Sequence, residues 1–164
     1  MAVVDIDFDA DEDARVEDAF RTALRAGRFE DARALAEVGA TDAATPGWQV
    51  ASMLEDIGLS LAGKARYDEA TSAFERALEL GWDVVPDGRC EIALVLLLAG
   101  RHAEADAQWA QLRDADPGGV WTLNAGGLAY NEAGRDEAAL EWLAEGLRVA
   151  LARDDPEHAS EPAA

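Results

Sequence analysis

A short segment occurs four times along this chain, and its spacing leaves few folds open. Gly27-Arg-Phe-Glu-Asp-Ala32, Ala65-Arg-Tyr-Asp-Glu-Ala70, Gly100-Arg-His-Ala-Glu-Ala105 and Gly134-Arg-Asp-Glu-Ala-Ala139 each run from a small residue through arginine and an acidic stretch to alanine. The closing alanines lie 38, 35 and 34 residues apart. Self-similarity at such a period marks stacked repeats, each one supersecondary unit that buries its apolar face against its neighbours. The two longer steps have local causes, Thr41-Asp-Ala-Ala-Thr-Pro-Gly47 in the first and Gly81-Trp-Asp-Val-Val-Pro86 in the second.

The repeated segment reads as a turn between two helices. Glycine accepts the left-handed conformation that ends a helix, so Gly27, Gly100 and Gly134 are each expected to stop a first helix. The acidic residues beyond favour the positive end of a second. Apolar residues recur at helical spacing before each stop, as in Leu54, Ile57 and Leu61, then Ile92 and Leu96, then Leu123 and Tyr130. After it come Ala70, Phe74, Ala77 and Leu78, then Trp109 and Leu112, then Leu140, Leu143 and Leu147. Alanine at 32, 70, 105 and 139 lets the second helix approach the first closely. The periods predict an all-α fold of eight helices, over about 13–26, 28–39, 47–63, 67–80, 87–99, 102–115, 120–133 and 136–153. One domain is expected over 13–153, between an acidic flexible N-terminus (1–12) and a flexible C-terminal tail (154–164).

The block Leu54-x-x-Ile57-Gly58-x-x-Leu61, with Tyr67, Ala70, Phe74 and Ala77 after it, resembles the tetratricopeptide repeat, whose period is about 34. The third block is similar, with Gly100, Ala105, Trp109 at the large aromatic place and Pro117 at the closing proline. The fourth keeps Gly127, Tyr130 and Ala139. The first departs from the pattern, with Phe20 where glycine is usual and Ala36 where a large residue is usual. The resemblance implies a right-handed α-solenoid of about four helix-turn-helix repeats and says little about ligand. The stretch from Leu123 to Leu143 also resembles bacterial proteins that carry such repeats before a zinc-binding tail. That tail needs several cysteines, and none follows Cys90.

Charge narrows the partners. The 34 Asp and Glu outnumber 14 Lys and Arg, giving a formal charge of −20, and Lys64 is the only lysine. Nucleic acids and anionic membranes are bound by neutralising phosphates, so neither is expected as a partner. The charge fits a soluble, self-repelling surface, and it also fits a salt-adapted or GC-rich proteome. No apolar run approaches a membrane span, and the start lacks a basic region and an apolar signal core. A cytoplasmic location is expected. Cys90, the single cysteine, can form neither an internal disulfide nor a zinc site alone.

Catalysis is not expected, nor is a cofactor or metal. His102 and His158 are the only histidines, and no serine or cysteine sits in the context of a nucleophile with its base. Asp5, Asp7, Asp9 and Asp11 alternate as in a calcium loop, but the sixth and twelfth places hold Ala10 and Val16 instead of glycine and glutamate. Cys90 is either a small buried hydrophobe or, at a groove-facing place, a reactive thiol.

In the tetratricopeptide family the first helix of each pair lines a concave groove. The resemblance places Glu17, Arg21, Leu24, Glu55, Leu59, Asp87, Cys90, Leu94, Leu97, Trp121, Asn124, Leu128 and Asn131 there, with Asp56 and Glu91 beside them. One subfamily grips a C-terminal carboxylate with Lys, Asn and Arg at set places. The matching places here hold Glu17 and Arg21, then Asp56, then Asp87 and Glu91, so that clamp is absent. An acidic rim around Leu59, Leu94, Leu97 and Leu128 suits a basic or amphipathic protein segment or peptide. Equally, those leucines are read as packing on the neighbouring repeat.

The last helix carries Ala139, Leu140, Leu143, Leu147, Ala150 and Leu151 on one broad face, extended by Trp142 and Val149. A solenoid's final helix has no next repeat to cover it. Trp142 and Val149 are therefore candidates for self-association, as a homodimer or with a docked partner. The alternative is that Trp142 covers its own first helix.

Overall fold

Each repeated segment is the turn between two packed helices. The computed structural model describes residues 8–42 and 45–154. Among them are eight α-helices and no strand: α1 (Phe8–Arg25), α2 (Phe29–Thr41), α3 (Gly47–Ala62), α4 (Tyr67–Glu79), α5 (Arg89–Leu98), α6 (His102–Ala115), α7 (Val120–Glu132) and α8 (Asp136–Asp154). The pairs α1–α2, α3–α4, α5–α6 and α7–α8 pack as repeats, and each second helix also touches the first helix of the next repeat. Helix α1 begins at Phe8, inside the segment expected to be a flexible terminus. An acidic stretch is compatible with the positive end of a helix, so it extends α1. Asp5, Asp7, His158 and most of the expected C-terminal tail lie outside the described residues.

The turns behave as their residues dictate. Gly27, Gly100 and Gly134 have φ of 70°, 75° and 70°. The second repeat has no glycine there, and Ala65 is forced to φ 57°. A left-handed residue with a side chain costs roughly 1–2 kcal/mol, part of which glycine gives back through its looser unfolded chain. Ala65→Gly is therefore expected to stabilise the protein by about 1 kcal/mol, read as a higher urea midpoint. A lower midpoint would contradict the turn geometry.

The closing alanines Ala32, Ala70, Ala105 and Ala139 are all buried where the two helices of a repeat meet. In the second repeat a Cβ on Gly58 would lie 2.6 Å from the Phe74 ring, so glycine on the first helix makes the hole that phenylalanine on the second fills. The first repeat exchanges the partners. Phe20 occupies the place of Gly58, Ala36 occupies that of Phe74, and both are buried. The departure from the tetratricopeptide pattern thus exchanges large and small between the two equivalent places, both of them buried.

The arginine of the repeated segment joins neighbouring repeats. Arg66 lies over the Phe29 ring, 5.1 Å from its centroid. Arg101 pairs with Asp68 at 3.4 Å as well as with Glu104 of its own helix. Arg135 pairs with Asp106 at 2.7 Å, and the same carboxylate accepts the Tyr130 hydroxyl at 2.8 Å. Burial raises the Asp106 pKa, but the hydrogen bonds from Arg135 and Tyr130 outweigh it and hold the carboxyl below its ordinary value. Arg28, in the first described repeat, pairs with Asp31 of α2.

Candidate interaction groove

The face formed by α1, α3, α5 and α7 carries most of the residues expected in a groove, in four rows at equivalent places. One row runs Arg21, Leu59, Leu94 and Leu128. Leu59 and Leu128 are exposed, while Leu94 is half-buried against the core. A leucine ladder therefore crosses three repeats. Leu94 packs on the core, as one reading of these leucines expects, while Leu59 and Leu128 stay open to solvent.

Acidic groups flank the ladder. Glu17 is paired with Arg21. Glu55 accepts the Trp82 indole N–H at 3.2 Å. Burial raises the Glu91 pKa, and the nearby carboxylates Glu55 and Glu132 push it the same way. These three come from α3, α5 and α7, so one acidic strip spans adjacent repeats. Burial also raises the Asp56 carboxyl, against the opposing pull of Arg21. Glu55, Glu91 and Glu132 repel one another, and a cation placed beside them would relieve that repulsion.

Three of the expected groove residues serve other purposes. Cys90 and Leu97 are buried and belong to the core, so neither offers a groove surface. Burial pushes the Cys90 thiol up to about 12, with Asp87 and Glu91 adding to the effect. A thiol so poorly ionised is not a nucleophile at neutral pH. Asp87 precedes α5 and accepts the Arg89 backbone N–H at 2.9 Å and its guanidinium at 2.6 Å. Those bonds hold its carboxyl below the ordinary value. Leu24 is half-buried against the core, whereas Asn124 and Asn131 are exposed on α7.

The structure adds residues that spacing did not single out. Trp48, at the start of α3, is exposed beside a hollow of about 290 Å³ that it shares with Glu17, Arg21, Met53 and Asp56. Trp82 lies in the connection between α4 and α5, stacked on Phe74 at 5.7 Å, and its indole N–H donates to the Glu55 carboxylate. The connection was legible only as extra length, and an aromatic within it was the one signal that it would be packed.

At the C-terminal end the expectation for Trp142 and Val149 is corrected. Trp142 is only 7 % exposed. Its ring lies 5.5 Å from Trp109 and 5.9 Å from Tyr130, with Arg113 above it at 5.0 Å. Val149 is half-buried against the core. Both are on the inner side of α8, since a Cβ on Gly126 of α7 would meet Trp142 at 2.4 Å, and the glycine makes room for the ring. The exposed large apolar residues of α8 are Leu140, Leu147 and Leu151.

Among the described residues no helix is long and apolar enough to cross a membrane, and no group of three or more His, Cys, Asp or Glu is placed to hold a metal ion. The architecture is that of a solenoid of helix pairs with an open face of first helices. No family model matches the chain, and no curated protein matches it. Among solved structures it is similar to MamA, at 20 % identity and a TM-score of 0.52 over 85 % of this chain and 78 % of that one. It is also similar to YrrB, a TPR protein with an unusual peptide-binding site, at 21 % identity and a TM-score of 0.50 over 88 % of this chain and 70 % of that one. At such identities the likeness shows the fold, which is the tetratricopeptide-like α-solenoid.

Proposed function

We propose that this chain is a non-catalytic scaffold that binds a basic or amphipathic protein segment along the face of α1, α3, α5 and α7. The observation that carries the reading is the ladder Leu59–Leu94–Leu128 beside the carboxylates Glu55, Glu91 and Glu132. Apolar rungs one repeat apart suit the apolar side of a helix, and the acidic strip suits its cationic flank. The fold's likeness to YrrB, a TPR protein with an unusual peptide-binding site, agrees with this reading.

The test uses a helical leucine–lysine peptide and its leucine–glutamate counterpart, followed by fluorescence anisotropy. The lysine peptide is expected to bind, to weaken as salt rises, and to lose about tenfold in affinity on Leu128→Ser. Leu128 is exposed, so its loss leaves the core intact. Equal binding of the glutamate peptide, or affinity indifferent to salt, would end the electrostatic part of the reading. Undiminished binding to Leu128→Ser would move the site elsewhere.

A second reading is self-association through the C-terminal helix, which would make the chain a structural module. It is favoured by Leu140, Leu147 and Leu151, which are 69 %, 61 % and 62 % exposed along one side of α8. A stripe of large apolar residues open to water marks an association surface.

A further inference from the structure

We propose that two copies of this chain pair end to end through α8 and the α7–α8 hollow, as a closed two-fold dimer rather than an open filament. The inference rests on the self-association reading and adds the partner's geometry.

Inner repeats show what the C-terminal end lacks. Asp106, Trp109 and Arg113 of α6 each contact the following repeat, through Tyr130 and Arg135, through Tyr130 and Trp142, and through Glu145 respectively. One repeat later the same three places hold Leu140, Leu143 and Leu147. No next repeat follows them in the described residues. Where α6 presents two charged groups and an aromatic ring, α8 presents three leucines. A hollow of about 380 Å³ opens beside them, lined by Val120 and Trp121 of α7 and Leu143, Leu147 and Ala150 of α8. The interface between repeats thus continues outward as an apolar surface that none of the described residues covers.

The opposite end of the stack decides which surface meets it. The corresponding hollow there, about 550 Å³, holds Leu35 and three alanines but is bordered by the charged Arg15, Asp18, Arg28 and Asp31. Head-to-tail stacking would press those charged groups onto the leucines and leave them desolvated against an apolar face. The self-complementary solution places the leucine face of one copy on the leucine face of another, which is the isologous contact of a two-fold dimer.

The stripe supports that arrangement. Leu140, Ala144, Leu147 and Leu151 follow the spacing of one helix face, with Glu137, Glu141 and Arg148 on one flank and Leu143 and Ala150 on the other. Antiparallel pairing about a two-fold axis apposes like flanks. Arg148 then falls within a turn of the second copy's Glu141, and the reciprocal pair forms as well. On the other flank the two hollows, with their Trp121 rings, adjoin and close.

The experiment is sedimentation equilibrium on the full chain over a wide concentration range, for the native protein, Leu147→Glu and Leu140→Glu. The expected result is a monomer–dimer equilibrium whose dissociation constant rises about tenfold or more in each variant, with thermal melts unchanged at a concentration where the native protein is monomeric, because both residues are exposed. Each chain carries a formal charge of −20, so added salt is expected to strengthen the dimer, opposite to its effect on the groove peptide. A native protein that stays monomeric throughout overturns both the pairing and the self-association reading. An open series of larger oligomers overturns the closed pairing alone. A dimer that survives both substitutions overturns this face as the interface.

Discussion

Replacing Trp142 with alanine is expected to remove about 3–5 kcal/mol of folding stability, the range for truncating a buried aromatic. The ring is nearly inaccessible and closes a cluster with Trp109 and Tyr130, at centroid distances of 5.5 Å and 5.9 Å. Truncation leaves a void that Gly126 cannot fill, because its missing Cβ is what admits the ring at 2.4 Å. The loss spreads between repeats: Tyr130 donates to Asp106, and Arg113 lies over Trp142 while reaching Glu145. Leu140→Ala is the control, since that exposed side chain makes no core contact in the monomer and should change stability by no more than about 0.5 kcal/mol. Urea melts of the two variants at a concentration where the native protein is monomeric decide the matter. Equal midpoints would mean that the aromatic cluster does not hold the last repeat. A dimer lost on substituting Trp142 would report a damaged core rather than an interface, which is why the association test uses Leu140 and Leu147.

Phe74→Ala is expected to cost a similar amount, about 3–5 kcal/mol, and to reach the groove. Phe74 is fully buried, stacked nearly parallel on Trp82 at 5.7 Å and seated against Gly58. Trp82 in turn donates to Glu55, so loosening the stack frees a carboxylate of the acidic strip. The contact with Gly58 supplies a sharper test. Alanine favours a helix interior over glycine by about 1 kcal/mol, yet a Cβ at 58 would sit 2.6 Å from a ring that has no room to retreat. Gly58→Ala should therefore destabilise the native protein and stabilise the Phe74→Ala background. A double-mutant cycle in urea reads that reversal directly. The same sign in both backgrounds would show that Gly58 and Phe74 do not share one packed contact.

The helices and their pairing were legible in the sequence because they depend on local rules. The period of the repeated segment, the glycines at 27, 100 and 134 and the apolar spacing each act within a few residues, and the structure puts turns and helices where they point. Even where the first repeat broke the pattern, the place of Phe20 and Ala36 was readable. Their compensation was not, because it depends on which side chain faces which across two helices. The groove was legible as rows of equivalent positions, but the depth of each residue was not. Cys90 and Leu97 share the register of groove residues and lie in the core, since burial is set by how closely the next repeat approaches.

Tertiary packing alone decided the ends and the irregular connection. Trp82 lay in a segment that spacing recorded only as extra length, and it stacks on Phe74 while donating to Glu55. On α8 the apolar residues cover more of the helix than one face needs, so periodicity could not say which of them point inward. Gly126 and Gly127 settle it. The absence of a Cβ lets α8 approach α7 with Trp142 and Leu143 on the near side, and that close approach turns Leu140, Leu147 and Leu151 to the solvent. A helix buries the side that its neighbour can approach most closely, and the shape of the neighbour is a property of the folded pair rather than of either segment.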